Sequence, residues 1–220
     1  MCVFKTAAPT AHRARNPNAT PRNPVDQYLW DDAAGSWAVS DTVRNVFIMG
    51  SGNQSFETST LFHNEFMTVN STKQATIGPE LGIGWSLRNF TDEPIMLLKS
   101  CIGDRALGWD LLPPGSPEFD YVDPKNASHI TTYAGYHESP NNWPKGTTPK
   151  PIGWMAGEQY DGDTNRSHKI LENLSNYYPG ATEYEVAGFF WWQVRFDASH
   201  PCAPKTPPRK NKPKPEPYTP

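Results

Sequence analysis

Cysteine is scarce in this chain. Cys2, Cys101 and Cys202 are the three present in 220 residues, too few for a disulfide scaffold and without metal-ligand spacing. Long apolar runs are missing too. No stretch approaches the roughly 20 apolar residues that span a bilayer, so no membrane span is expected. A basic excess is also absent, and a net charge of −3 excludes a generally basic nucleic-acid binder. Neither a metal nor a cofactor is expected from the motifs present. Proline and aromatics, by contrast, are plentiful, with 23 Pro and eight Trp. Each large aromatic buries roughly 150–250 Å². One core of ordinary size is therefore feasible although hydrophobic residues make up 36%.

The modest net charge hides an asymmetry. Residues 1–24 carry four basic residues, Lys5, Arg13, Arg15 and Arg22, and no acid. Residues 201–220 carry five basic residues, one acid (Glu216) and eight prolines. The middle is strongly acidic, which suits a neutral or cationic ligand, or simple solubility, better than a phosphate backbone. Both ends lack apolar periodicity and are expected to be disordered, 1–24 as a basic segment and 194–220 as a Pro/Lys-rich tail. Residues 1–24 hold no apolar stretch of the kind a signal peptide needs. Seven asparagines lie in N-x-S/T sequons: Asn18, Asn53, Asn70, Asn89, Asn126, Asn165 and Asn173. Chance placement gives about two, so the sequon density points to a secreted or extracellular glycoprotein lineage.

The middle is patterned. Val43–Gly50 is a β-branched and apolar run ending at glycine and reads as a buried strand, and Pro94–Ser100 is a short continuous apolar run, the signature of a strand covered on both faces. Tyr184–Gln193 reads as a third buried strand. Pro79–Phe90 reads as a helix, with Pro at its first position and Glu80 in its first turn. Asn165–Tyr178 reads as a second helix, stopped by Pro179-Gly180. Strands alternating with helices predict an α/β fold with a mostly parallel sheet. The Pro- and Gly-rich stretch Cys101–Thr164 is then expected to build a site above the carboxyl ends of the strands.

Two strand ends carry groups with chemistry. Gly103 follows one apolar strand and Gln193 ends another. A glycine N–H and a glutamine amide converging on one point make an oxyanion hole; a tight turn and a satisfied edge residue are the plainer alternatives. Ser51, beside Gly50 at a strand end, is placed for nucleophilic attack, and Ser55 lies nearby. A glycine-rich loop is the alternative there. Trp143 and Trp154 can stack on sugar rings or simply pack; Trp191 and Trp192 share the third strand on opposite faces. His129, His137 and His168 read as solvated. Asp161-Gly162-Asp163 reads as a loop, since a calcium-loop pattern is incomplete.

At this point the sequence resembles a family. Ile77–Ser116, IGPELGIGWSLRNFTDEPIMLLKSCIGDRALGWDLLPPGS, is similar to the sialate O-acetylesterase domain family, a branch of the SGNH hydrolases. That family carries IGPE-x-GFG, then EP-(V/I)-LLIK, and a D-x-x-PPGS-like segment. Tyr177–Gln193, YYPGATEYEVAGFFWWQ, resembles its later AGF-x-W-(F/W)-Q-G block. The resemblance spans residues 25–193. It implies a flavodoxin-like three-layer α/β sandwich, acetylated carbohydrate as substrate, and a Ser nucleophile with a His base oriented by Asp. Gly103 and Gln193 map onto the family's oxyanion donors.

Two family blocks are displaced. No GQSN stands in the chain, and Ser51 is the nearest counterpart of the nucleophile. Asp197-Ala198-Ser199-His200 has the family's Asp-x-x-His spelling but follows Gln193 too closely, and Val194 replaces the expected glycine. The expectation is a truncated or frameshifted member lacking its nucleophile and base, or else a compact triad of Ser51, Asp197 and His200. A non-catalytic carbohydrate-binding module on the same scaffold is the alternative function.

Overall fold

The computed structural model describes residues 2–7, 29–69, 78–88, 91 and 93–191. In chain order its elements are β1 (Cys2–Ala7), β2 (Trp30–Asp31), β3 (Ser36–Trp37), β4 (Val39–Met49), β5 (Thr60–Thr68), α1 (Pro79–Arg88), β6 (Ile95–Ser100), β7 (Phe119–Asp123), β8 (Asn126–Tyr133), β9 (Asn142–Pro144), α2 (Glu158–Glu172) and β10 (Glu183–Phe189).

A five-stranded sheet, ordered β10-β1-β6-β4-β5, forms the centre. Its heart is β6. Ile95 and Leu97 point to one face and pack with Trp85 of α1, Val43 and Met67. Met96 and Leu98 point to the other, against Ile170 of α2 and the following Leu174, Tyr177 and Tyr178. A strand's period of two thus puts the two helices on opposite faces, and the unbroken apolar run is needed because both faces are covered. Full burial of a Leu- or Ile-sized chain contributes roughly 1.5–3 kcal/mol, and these strands hold most of the fully buried side chains.

The fold class differs from the expected flavodoxin-like sandwich. The protein is mostly β, with three small sheets, antiparallel or mixed, and only two α-helices among the described residues. The physical reason lies in the connections. α1 leads into β6 and α2 into β10, but neither helix directly joins two neighbouring parallel strands of the sheet. β4 returns directly to antiparallel β5. β1 runs antiparallel between β6 and β10, so a parallel sheet is interrupted at its middle. β4 and β6 do pair in parallel, Val43 opposite Ile95 through Ile48 opposite Ser100.

Four further expectations change. The stretch from Cys101 is not all loop: β7, β8 and β9 form an antiparallel sheet, with Phe119 stacked on Tyr133 at 5.3 Å. β10 is a strand but not a buried one, since Tyr184, Val186 and Phe189 are exposed at the sheet edge. Asp161-Gly162-Asp163 is helical, because α2 begins at Glu158. Residues 2–7, inside the segment read as disordered, pair on both sides as β1. The rest of 1–24 and the tail 194–220 lie outside the described residues. No described helix is long and apolar enough to cross a membrane.

Candidate active site

Parallel neighbours deliver their carboxyl ends to one edge. β4 runs into Gly50-Ser51-Gly52, and β6 runs into the 101–105 segment. There the two loops meet: the Arg105 guanidinium donates to Ser51 Oγ at 2.6 Å. Arg105 lies over the Trp154 ring, 4.5 Å from its centroid. Its other terminal nitrogen is 4.0 Å from the Asp110 carboxylate. Asp110 is itself held, accepting from the Ala106 N–H at 2.6 Å. The Asp110 carbonyl also accepts the N–H groups of Gln159 and Tyr160 at the start of α2. A guanidinium is permanently charged and has no acceptor site, so at Ser51 it favours negative charge on the oxygen.

The Ser51 loop is gripped from below by α2. Gln159 donates to the Gly50 carbonyl at 3.0 Å and accepts from the Gly52 N–H at 2.8 Å. Arg166 donates to the carbonyls of Gly50, Gly52 and Gln54. Gly52 has φ +51°, a conformation that glycine adopts without a side-chain penalty. A Cβ at this position would collide with the Trp154 ring and the Glu158 carboxylate. The neighbouring serine, Ser55, bonds instead to Thr58 within its own exposed turn.

Gly103 stands exposed three residues past β6, with nothing within 4 Å of where a Cβ would lie. Trp143 sits on β9 opposite Thr132. Both Trp143 and Trp154 are half-buried against Trp109, Ala134 and Ala156, so packing accounts for much of each ring. Trp191 is exposed, 5.9 Å from Phe189. Gln193, Asp197, His200 and Trp192 lie outside the described residues.

Cys101, next to this edge, is half-buried, and burial pushes its thiol pKa up, against a thiolate role. His137 is half-exposed but not simply solvated. It adopts φ +65°, stacks on Tyr136 at 3.9 Å and places Nε2 2.7 Å from Asp161. Tyr136 donates to the other oxygen of Asp161 at 2.7 Å. That bond is the main reason the Tyr136 phenol holds its proton above the ordinary value.

Ser51 was legible as a serine at a strand end, and Gly103 as a glycine at another. Arg105, Asp110, Gln159, Arg166 and the His137–Asp161 pair were not. The one available signal was Gln159, Gly162 and Arg166, which recur at helical spacing but carry no apolar pattern. Comparison with known proteins finds no family model, no curated protein and no solved structure that matches this chain.

Proposed function

We propose that the protein is a carbohydrate ester hydrolase that removes O-acetyl groups from sugars at the carboxyl edge of β4 and β6. One observation carries this reading: Ser51 and Arg105, each following one of two parallel strands, are in hydrogen-bond contact at 2.6 Å. In this scheme Ser51 Oγ attacks the acetyl carbonyl carbon and the carbonyl becomes a tetrahedral oxyanion. The bond to the sugar oxygen then breaks, and that oxygen takes a proton. Water attacks the acetyl-serine, releasing acetate and restoring Ser51. Arg105 stabilises the developing charge, and the Gly103 N–H and the Gln193 amide are the oxyanion donors. The sequence alone assigns the base to His200 and its partner to Asp197, both outside the described residues. The sequence blocks Ile77–Ser116 and Tyr177–Gln193 support the acetyl-sugar substrate.

A second reading is a carbohydrate-binding module without turnover. It would use the part of the half-buried Trp154 ring that Arg105 and the 109/134/156 cluster leave open, a ring held rigidly in place by those contacts. Incubating the full chain with a per-O-acetylated methyl glycoside separates the two. Acetate release that disappears in Ser51→Ala supports the hydrolase. Saturable binding without release, weakened by Trp154→Ala, supports the module. Neither release nor binding contradicts both.

A further inference from the structure

Three backbone carbonyls of the Ser51 loop converge on one buried guanidinium. Arg166 is 1% exposed. Its NH1 donates to Gly52 O at 3.0 Å and Gln54 O at 3.2 Å, and its NH2 to Gly50 O at 3.0 Å. NH2 also reaches Asp163 Oδ1 at 2.9 Å. The same carboxylate oxygen accepts from Ser100 Oγ at 3.1 Å, the last residue of β6. Gln159, fully buried, spans Gly50 and Gly52 from the turn above. Between them Gly162 lies directly on the Gly52 carbonyl, leaving no space for a side chain. One face of α2, at positions 159, 162 and 166, is therefore shaped to residues 50–54.

An apolar side chain would fill this part of the core at less cost, because a buried charge is expensive unless its donors are satisfied. Here the two terminal nitrogens spend their donors on the loop carbonyls and on Asp163, while Nε has no partner among the described residues. A lysine could not replace the arginine: a planar fork with five N–H groups reaches three carbonyls and a carboxylate together, whereas one ammonium cannot.

We propose that Arg166, with Gln159 and Gly162, positions the Ser51 loop for acetyl-ester hydrolysis and links it through Asp163 to the end of β6. The proposal deepens the hydrolase reading and rests on it. Arg166 touches no substrate; it acts through the backbone of Gly50–Gln54.

The test compares the full chain with Arg166→Met, Arg166→Lys and Gly162→Ala. Amide hydrogen exchange reads the loop directly, through Gly52 N–H, bonded to Gln159, and Gln54 N–H, bonded to Ser51 O. The expected result is exchange at both amides faster by about 100-fold in Arg166→Met and by less in Arg166→Lys, with Met96–Leu98 unchanged. Gly162→Ala, which keeps the guanidinium, should show the same local loss. Unchanged loop amides in the folded variants, or acceleration no greater than that of β6, overturn the proposal. In p-nitrophenyl acetate hydrolysis, kcat should fall about ten-fold or more in Arg166→Met and partly return in Arg166→Lys. A change in KM at constant kcat overturns the positioning role. A parent without turnover counts against the hydrolase reading instead, and the exchange result then upholds or overturns the clamp by itself.

Discussion

The Cα of Gly162 rests against the carbonyl oxygen of Gly52, so close that a methyl group at 162 would overlap it. Helix propensity and packing therefore oppose each other at this position. Alanine gains about 1 kcal/mol over glycine in a helix interior, whereas forcing a methyl into a filled site costs roughly 1–3 kcal/mol. The obstacle is backbone held by Arg166 and Gln159, so it yields little. Gly162→Ala is expected to lower stability by about 1–2 kcal/mol, read from the urea midpoint at constant slope. A stabilised variant would show that the loop gives way freely.

Gly82 of α1 provides the opposite case. A Cβ there meets nothing within 4 Å, and φ is not in the left-handed region. Gly82→Ala is expected to stabilise the fold by about 0.5–1 kcal/mol through reduced freedom of the unfolded chain. Thermal unfolding of the two variants side by side tests whether space decides the sign.

Tyr178 predicts an alkaline limit. Its hydroxyl donates to the Thr42 carbonyl at 2.9 Å, and burial pushes the phenol up to about 12, above the ordinary tyrosine value. Arg44 opposes the shift without cancelling it. The folded state thus keeps a proton that the unfolded chain loses first. The contribution is complete below pH 10 and is lost as pH rises from 10 through 12, amounting to about 2–3 kcal/mol. Urea unfolding across that window should show a fall in stability that Tyr178→Phe flattens. Equal slopes for parent and variant would count against it.

The Tyr136–Asp161 bond gives a local titration. Its removal in Asp161→Ala should bring the Tyr136 phenol down towards the ordinary tyrosine value, because that bond is the largest cause of its elevation. Carbon NMR of the tyrosine ring carbons follows the change. A Tyr136 titration that stays where it was would assign the shift to burial.

The central strands were legible because their chemistry is uniform. Ile95–Leu98 must be apolar at every position to serve two faces, and such a run has few other meanings. Strand direction was not legible, since apolar continuity says nothing about pairing. β1 made the difference: its six residues sit in a segment whose later prolines and arginines mask a short β-branched and aromatic run. The beginning of α2 was missed for a related reason. From its start through Arg166 it buries Gln159, Gly162 and Arg166 rather than apolar residues, so hydrophobic period found only the Ile170 end. β10 misled in the other direction, because its aromatic pattern suits a core strand while Val186 and Phe189 face outwards. At the site, Ser51 could be picked out by its place after a strand, but Arg105 reaches it across 54 positions of sequence. No spacing rule contains that contact.

The most direct test of the account is whether acetyl is carried on Ser51. The full chain, mixed with p-nitrophenyl acetate and quenched in acid during turnover, is digested and mapped by mass spectrometry. The account predicts acetyl on the peptide containing Ser51, absent from Ser51→Ala, with p-nitrophenol release in that variant reduced on the order of 10³-fold or more. Release that continues undiminished in Ser51→Ala, with no acetyl on the Ser51 peptide of the parent, would contradict it.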